Sequence, residues 1–258
     1  MFFNLLRYLY QFNFFKRIVP SILRKSASIK KNHVLEIYNF KLNLSLNNSI
    51  EREIFLKKTY DQDRFEYLDK IMSNQKFDYF VDIGSYLGFY SIYFNKFKKI
   101  QNVVAFEPNL SNFKKLKNNI ELNNSIITTF NIACSSEKKE NKLWFHDINK
   151  TGGSSILSNE DREYIKYDKS TLTFETVQTN TLDNILTNIS NNIIFVKIDV
   201  ERHELDVLKG GKNFFSSNKV LLQIEIFQEL KNRVFKYLID QKFRYINSID
   251  DDHYFTNY

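Results

Sequence analysis

Asp199, Glu201, His203 and Glu204 fall within six positions, directly after the apolar run Ile193–Ile198. A buried strand ending there delivers Asp199 to the crevice outside the carboxyl ends of a parallel sheet, where ligands of open α/β folds bind. Histidine is the natural proton acceptor near neutrality, and neighbouring carboxylates can position a hydroxyl or the imidazole itself. Each residue alone has a plainer reading, since acids at a helix start stabilise its dipole and most lone histidines are structural. Together they make Asp199, Glu201 and His203 the candidate catalytic group. Their spacing is not a recognised metal signature, so no metal is expected.

A second constellation lies upstream. Tyr79–Ile83 is an apolar run that ends in Asp82-Ile-Gly84-Ser85-Tyr-Leu-Gly88 and passes into a helical pattern. The chain has only six glycines, so one is kept where a side chain would collide with backbone or ligand, or where positive φ is needed. A strand, a glycine turn and a helix start form a nucleotide cradle. Glu107 follows Gly84 by 23 positions, at the end of the next strand, Val103–Phe106. An acid there accepts hydrogen bonds from ribose hydroxyls, and Pro108 agrees with the strand stopping. A dinucleotide site needs Gly-x-Gly-x-x-Gly to seat its pyrophosphate; here Tyr86 holds the middle position. The spacing favours S-adenosylmethionine, which has no phosphate, with Asp82 oriented toward its amino-acid end. The NAD reading is disfavoured further by the lack of a Tyr-x-x-x-Lys pair on a mid-chain helix.

These residues need elements to hold them. From Tyr79 onward strands alternate with helices, the pattern of a parallel sheet covered on both faces. Strands are expected at Tyr79–Ile83, Val103–Phe106, Ile126–Ile132, Ile193–Ile198 and Val220–Ile226, with an extra one at Lys142–His146. Helices are expected at Phe89–Phe97, Asn109–Asn123, Thr181–Leu186, Glu204–Phe215 and Glu229–Gln241. Thr151–Thr171 reads as an irregular excursion in which Gly152-Gly-Ser-Ser155 could line a substrate mouth. Gly210–Gly211 reads as a helix C-cap. Phe243–Ile246 and His253–Thr256 read as a closing hairpin around Asp250, Asp251 and Asp252. Before the sheet, Phe40–Leu46 alternates as a half-buried strand and Glu51–Met72 reads as one helix. The expected organisation is an extension over residues 1–75 and a binding domain over 76–258.

Composition bounds the partners. With 258 residues the chain can bury a full core, and its single cysteine, Cys134, excludes a disulfide framework and suits a reducing, cytoplasmic setting. The net charge of +7 is dispersed and accompanies no nucleic-acid module, so no nucleic acid is expected. Residues 1–31 are rich in aromatics but interrupted by Arg7, Lys16 and Arg17, too charged to span a bilayer. Such a segment could lie in a membrane interface as a peripheral contact, or pack on the domain or on a second copy as a homodimer.

Four stretches resemble the FkbM family of S-adenosylmethionine-dependent methyltransferases: Val81-Asp-Ile-Gly-Ser-Tyr-Leu-Gly-Phe-Tyr-Ser91, Ala105-Phe-Glu-Pro-Asn109, Val177-Gln-Thr-Asn-Thr-Leu-Asp183, and Val196-Lys-Ile-Asp-Val-Glu-Arg-His-Glu-Leu-Asp-Val-Leu-Lys-Gly210. The resemblance covers about Tyr79 to Ile226. It implies the class I methyltransferase fold, a Rossmann-like α/β seven-stranded sheet whose last strand runs antiparallel. It places Gly84, Ser85 and Gly88 at the methionine end of the cofactor, Glu107 at the ribose, and Asp199 beside the transferring methyl; Pro108, next to Glu107, is counted with the cofactor-binding residues. Glu201 and His203 then face the acceptor, a hydroxyl of a sugar in a glycan or another small molecule. His203 or Asp199 would act as base and Glu201 would position the acceptor. Tyr86 stands where the family has Asn, and Arg202 where it has Gly, which puts a long cation at the pocket entrance. The competing expectation is a non-catalytic domain acting as a membrane or partner adaptor.

Overall fold

The computed structural model describes residues 2–25, 32–145, 153–156 and 173–258. The chain enters through α1 (Phe2–Tyr10), a 3-10 turn at Asn13–Lys16, and α2 (Ile18–Lys25). An antiparallel hairpin follows, β1 (Asn32–Ile37) and β2 (Phe40–Ser45). The helix expected over Glu51–Met72 is two helices, α3 (Ser49–Lys57) and α4 (Gln62–Met72). Asn48 caps α3 by accepting from the N–H groups of Ile50 and Glu51. Lys58 and Asp61 break the run with left-handed backbone, φ 55° and 47°. The break sets Asp61 beneath the Tyr90 hydroxyl, which donates to it at 3.0 Å.

The main sheet is built from β3 (Tyr79–Ile83), β4 (Asn102–Phe106), β5 (Thr128–Phe130), β9 (Ile193–Ile198), β10 (Lys219–Glu225), β11 (Arg244–Ile249) and β12 (Asp252–Thr256). Their order is β11-β12-β10-β9-β3-β4-β5. Six strands point the same way, and β12 alone runs antiparallel, paired between β10 and β11. The seven strands and the antiparallel last one match the expectation. β3 is followed on one side by β4 and β5 and flanked on the other by β9, so the strand order reverses between β3 and β9. That switch point is where such sheets bind ligands.

The apolar strands alternate between two cores. Phe80, Phe195, Leu221 and Tyr254 face one side, where they join residues of α1–α4, α5 (Phe89–Lys96) and α6 (Leu110–Leu122). Val81, Val196, Leu222 and Phe255 face the other, under α7 (Leu182–Ile185), α8 (Glu204–Gly210), α9 (Lys212–Ser216) and α10 (Lys231–Asp240). Phe80 stacks on Phe195 with centroids 5.0 Å apart, a pair whose truncation to Ala would cost about 3–5 kcal/mol per ring. Residues 2–72 therefore share one core with the sheet.

A small side sheet sits beside the binding end: β6 (Ala133–Cys134), β7 (Glu140–Phe145) and β8 (Thr173–Asn180), in the order β6-β8-β7. Most of the excursion Thr151–Thr171, including Gly152, lies outside the described residues, as does His146 at the end of the expected strand. The expected helix Glu204–Phe215 is interrupted at Gly211. Gly211 caps α8 as expected, but with φ −112° rather than left-handed backbone, and a Cβ on Gly210 would lie 1.9 Å from the Ser135 carbonyl oxygen. The glycines let α8 press against the chain after β6.

Candidate active site

The turn after β3 is tied to the end of β4. The N–H groups of Gly84 and Ser85 both donate to the Phe106 carbonyl, at 3.0 and 2.9 Å, and the Ser85 hydroxyl adds a third bond at 3.2 Å. Gly84 has φ +85°, and a Cβ there would fall 1.7 Å from the Asp199 carbonyl oxygen. The glycine is needed to seat the β3 turn against the end of β9. Gly88, at φ +87°, begins α5.

Tyr86, also left-handed at φ 50°, sends its N–H to Glu107 Oε2 at 2.9 Å and its hydroxyl to Glu51 Oε1 at 2.7 Å. Glu51 has no solvent exposure. It accepts besides from the Ser45 N–H and from Lys115 Nζ, each at 2.6 Å. Glu107 Oε1 takes the Asn109 N–H at 2.9 Å and Asn112 Nδ2 at 3.4 Å. Burial pushes the Glu107 carboxyl up to about 8, against these N–H donors that favour its charge.

The second cluster gathers at the ends of β9 and β10. Lys197, buried with its Nζ 4.7 Å over the Tyr90 ring, donates to Asp199 Oδ2 at 2.7 Å. Glu225, at the end of β10, is hydrogen-bonded to the same carboxylate. Burial acts to raise Asp199, yet Lys197 and these hydrogen bonds hold it below the usual carboxylate range. Burial and the Asp199 charge drive Glu225 far above that range, so Glu225 carries the proton the two share. Glu201 is raised to about 7 by burial and by Asp199. Glu204, fully buried, is raised to about 8; its Oε1 accepts from the Arg202 N–H at 2.9 Å. His203 Nε2 lies 2.9 Å from the Ser135 hydroxyl, and its Nδ1 is 3.7 Å from Asp206.

A cavity of about 200 Å³ joins the two clusters. Gly84, Tyr86, Glu107 and Pro108 line one end and Asp199, Glu201, His203 and Glu225 the other, with Ile132, Cys134, Leu143 and Ile156 as apolar wall. Asp82 and Ser85 face an adjoining recess with Tyr90 and Lys197, and Gly88 borders neither space. The Asp82 carboxyl, raised to about 6 by burial, accepts from the Ser91 hydroxyl at 2.6 Å. Gly153 and Ser155 flank Glu201: a Cβ on the glycine would lie 3.7 Å from Glu201 Oε1, and the Ser155 hydroxyl donates to the Glu201 carbonyl.

Arg202 does not stand at the entrance. Its guanidinium pairs with Glu229 at 2.9 Å and lies 4.1 Å over the Phe227 ring, outside the cavity lining. Glu201 and Arg202 are both left-handed, at φ 53° and 83°; Glu201 lines the cavity and Arg202 does not.

Glu225 and Glu51 were missed in the sequence. Glu225 obeys the rule that found Asp199, an acid at the carboxyl end of a buried strand. Glu51 looks like an ordinary surface charge on a helix. Asp199, Glu201 and Glu225 each bring an oxygen within 4.8 Å of the others, a spacing that could hold a divalent cation, although no metal was expected from the sequence.

A buried carboxylate beside an apolar wall suits a nucleoside, whose two ribose hydroxyls are donors and whose base is flat and apolar on its faces. The residues fit S-adenosylmethionine: Glu107 would hold the ribose, Pro108 and Ile132 the base, and the Gly84 turn the amino-acid end.

Residues 82–245 match the family described as Methyltransferase FkbM domain. Methyltransferase 1 of Beauveria bassiana (strain ARSEF 2860) is 26% identical over 173 residues, covering 62% of this chain and 66% of that protein. The chain thus spans just under two thirds of that curated relative. Among solved structures, the human methyltransferase 10 domain containing protein is similar over 93% of both chains, with a TM-score of 0.45 and 11% identity. The Pyrococcus abyssi tRNA (uracil-54, C5)-methyltransferase in complex with S-adenosyl-L-homocysteine matches 88% of this chain with 44% of its own, at a TM-score of 0.45 and 10% identity. The strand order and the family match carry the assignment without these two likenesses. The fold is the class I methyltransferase fold, and the chain belongs to the FkbM family of S-adenosylmethionine-dependent methyltransferases.

Proposed function

We propose that this enzyme methylates a hydroxyl of a sugar, in a glycan or a related small molecule, in the cytoplasm. The observation that carries the reading is the acidic end of the cavity, where Asp199, Glu201 and Glu225 converge. Carboxyl oxygens accept hydrogen bonds from a neutral polyol, and among the described residues no lysine or arginine lines the cavity to pair with a phosphodiester, which argues against a nucleic-acid acceptor. The single, buried cysteine supports a reducing compartment.

S-adenosylmethionine, when bound, supplies an electrophilic methyl group. The chain's own residues must then hold the acceptor oxygen in line and take its proton. Asp199 is bound to Lys197 and Glu225 and is a poor base. Glu201, raised to about 7, is partly ionised at neutral pH and is the best matched proton acceptor in the cavity. His203, oriented by Ser135, is placed to position the acceptor. These roles exchange the earlier expectation, in which His203 or Asp199 was the base and Glu201 the positioning group. Arg202 is turned away and leaves the cavity open, which removes the main support for a non-catalytic adaptor.

The test is transfer of labelled methyl to a panel of free and lipid-linked sugars, with Glu201→Gln and His203→Ala in parallel. Glu201→Gln should lower kcat at least a hundredfold and erase the acidic limb of the pH profile. His203→Ala should chiefly raise KM for the acceptor. Labelling of RNA or protein, with no sugar labelled, would overturn the reading.

A further inference from the structure

The N-terminal helices leave an apolar face bare. Among the described residues, seven of the seventeen exposed large hydrophobics lie between positions 2 and 25. Phe2, Leu5 and Tyr8 mark the outer side of α1, while Phe3 and Leu6 on its inner side pack on the body. Phe12 and Phe14 project from the turn, Phe14 at 76% exposure, and Ile18 and Ile22 continue the face along α2. A helix apolar on both sides wants an apolar medium on the second side as well.

Charge decides what that medium is. Residues 2–25 carry Arg7, Lys16, Arg17, Arg24 and Lys25 and no Asp or Glu. Arg7 is committed inward, over the Phe55 ring at 4.4 Å and to the Phe55 carbonyl at 3.0 Å. The other four are exposed, and among the described residues Lys16, Arg17 and Lys25 enter no ion pair. A second copy would bring the same cations together across a two-fold axis. A nucleic acid would satisfy the cations but not Leu5, Ile18 and Ile22. An anionic bilayer satisfies both, with side chains in the acyl boundary and cations among headgroups. No helix of the described residues is long and apolar enough to cross a membrane. We propose that residues 2–25 dock this enzyme on the surface of an anionic lipid bilayer, independently of which acceptor it methylates.

The experiment is flotation of the full chain with vesicles of phosphatidylglycerol and phosphatidylcholine in equal parts, against phosphatidylcholine alone. The chain should float with the anionic vesicles, at least tenfold more tightly than with neutral ones, and should be released by high salt. Lys16→Glu with Arg17→Glu should weaken binding at least tenfold, and Phe12→Asp with Phe14→Asp by a similar factor. Both double variants should bind S-adenosylhomocysteine as the parent does, which shows that they fold; if the aspartates impair folding, the glutamates alone decide. A chain that stays with the soluble fraction at millimolar lipid overturns the proposal. So does a dimer in sedimentation that the Phe12→Asp, Phe14→Asp variant dissociates, or a duplex RNA that binds more tightly than the vesicles.

Discussion

Tyr86→Phe deletes one oxygen and tests whether the N-terminal helices hold the cofactor turn. The hydroxyl donates at 2.7 Å to Glu51, which is completely buried and accepts two further bonds. Burial and Glu51 keep this phenol far above its usual range, so it is a donor at every working pH. A hydrogen bond to a charged group contributes about 1.5–3 kcal/mol. Lys115 remains on the same oxygen, so the loss should lie near the lower value, about 1.5 kcal/mol. In a chain of this size that is a fall in Tm of about 3–6 °C. Tyr86 also passes its N–H to Glu107, so a slackened turn should weaken S-adenosylhomocysteine by about tenfold in calorimetric titration. Glu51→Gln strands Lys115 as well and should cost about 3 kcal/mol, the low end for a broken buried pair because Lys115 is 28% exposed. The double variant closes a thermodynamic cycle, and the coupling should exceed about 1 kcal/mol. A Tyr86→Phe protein that melts and binds like the parent, or a coupling below about 0.5 kcal/mol, would refute the tether.

Arg202→Gly should be nearly neutral in urea unfolding, since relief of a left-handed arginine, about 1 kcal/mol, offsets the lost contacts with Glu229 and Phe227. Arg202→Ala keeps the strain and loses the contacts, so it should be about 1–2 kcal/mol less stable than the parent; equal stabilities for the two variants would contradict this. Burial raises Glu107 and Glu204 to about 8 from an ordinary 4.5. The folded chain therefore binds more protons than the unfolded one between those values, and stability without ligand should fall as pH rises from 5 to 8, by several degrees in Tm. A melting temperature that climbs over that window would show that these carboxyls ionise freely. Glu225→Gln mimics the protonated acid and should leave Tm within about 2 °C, whereas Asp199→Asn removes the partner of Lys197 and should cost about 3 kcal/mol. Loss of divalent-dependent activity on Glu225→Gln would instead identify Glu225 as a metal ligand.

Much of the sheet was readable because its strands are buried on both faces. β3, β4, β9 and β10 are almost continuous apolar runs, and acids or glycines mark their ends. β8 was not, because Thr173-Phe-Glu-Thr-Val-Gln-Thr-Asn180 is polar on alternate residues and its partner β7 lies across an excursion in sequence. The break between α3 and α4 was hidden because no glycine or proline marks it; Lys58 and Asp61 adopt left-handed backbone under tertiary constraint. Asp199, Glu201, His203 and Glu107 were found and do border one cavity. The direction of Arg202 was misread because residue type cannot say which way a strained loop turns its side chain. Glu51 was invisible for a related reason: its partners lie 6, 35 and 64 positions away.

The shared core of residues 2–72 and the sheet changes what counts as the unit of inheritance. The segment that bears the family's signature, 82–245, contains the chemistry but only one of the sheet's two coverings in full. A protein cut before β3 would keep only α5 and α6 over the Phe80 face, strip Tyr67 from Tyr254, and leave Asp252 without Arg64. Grafting the signature onto another scaffold would therefore transplant a reaction without the half of the molecule that keeps it folded.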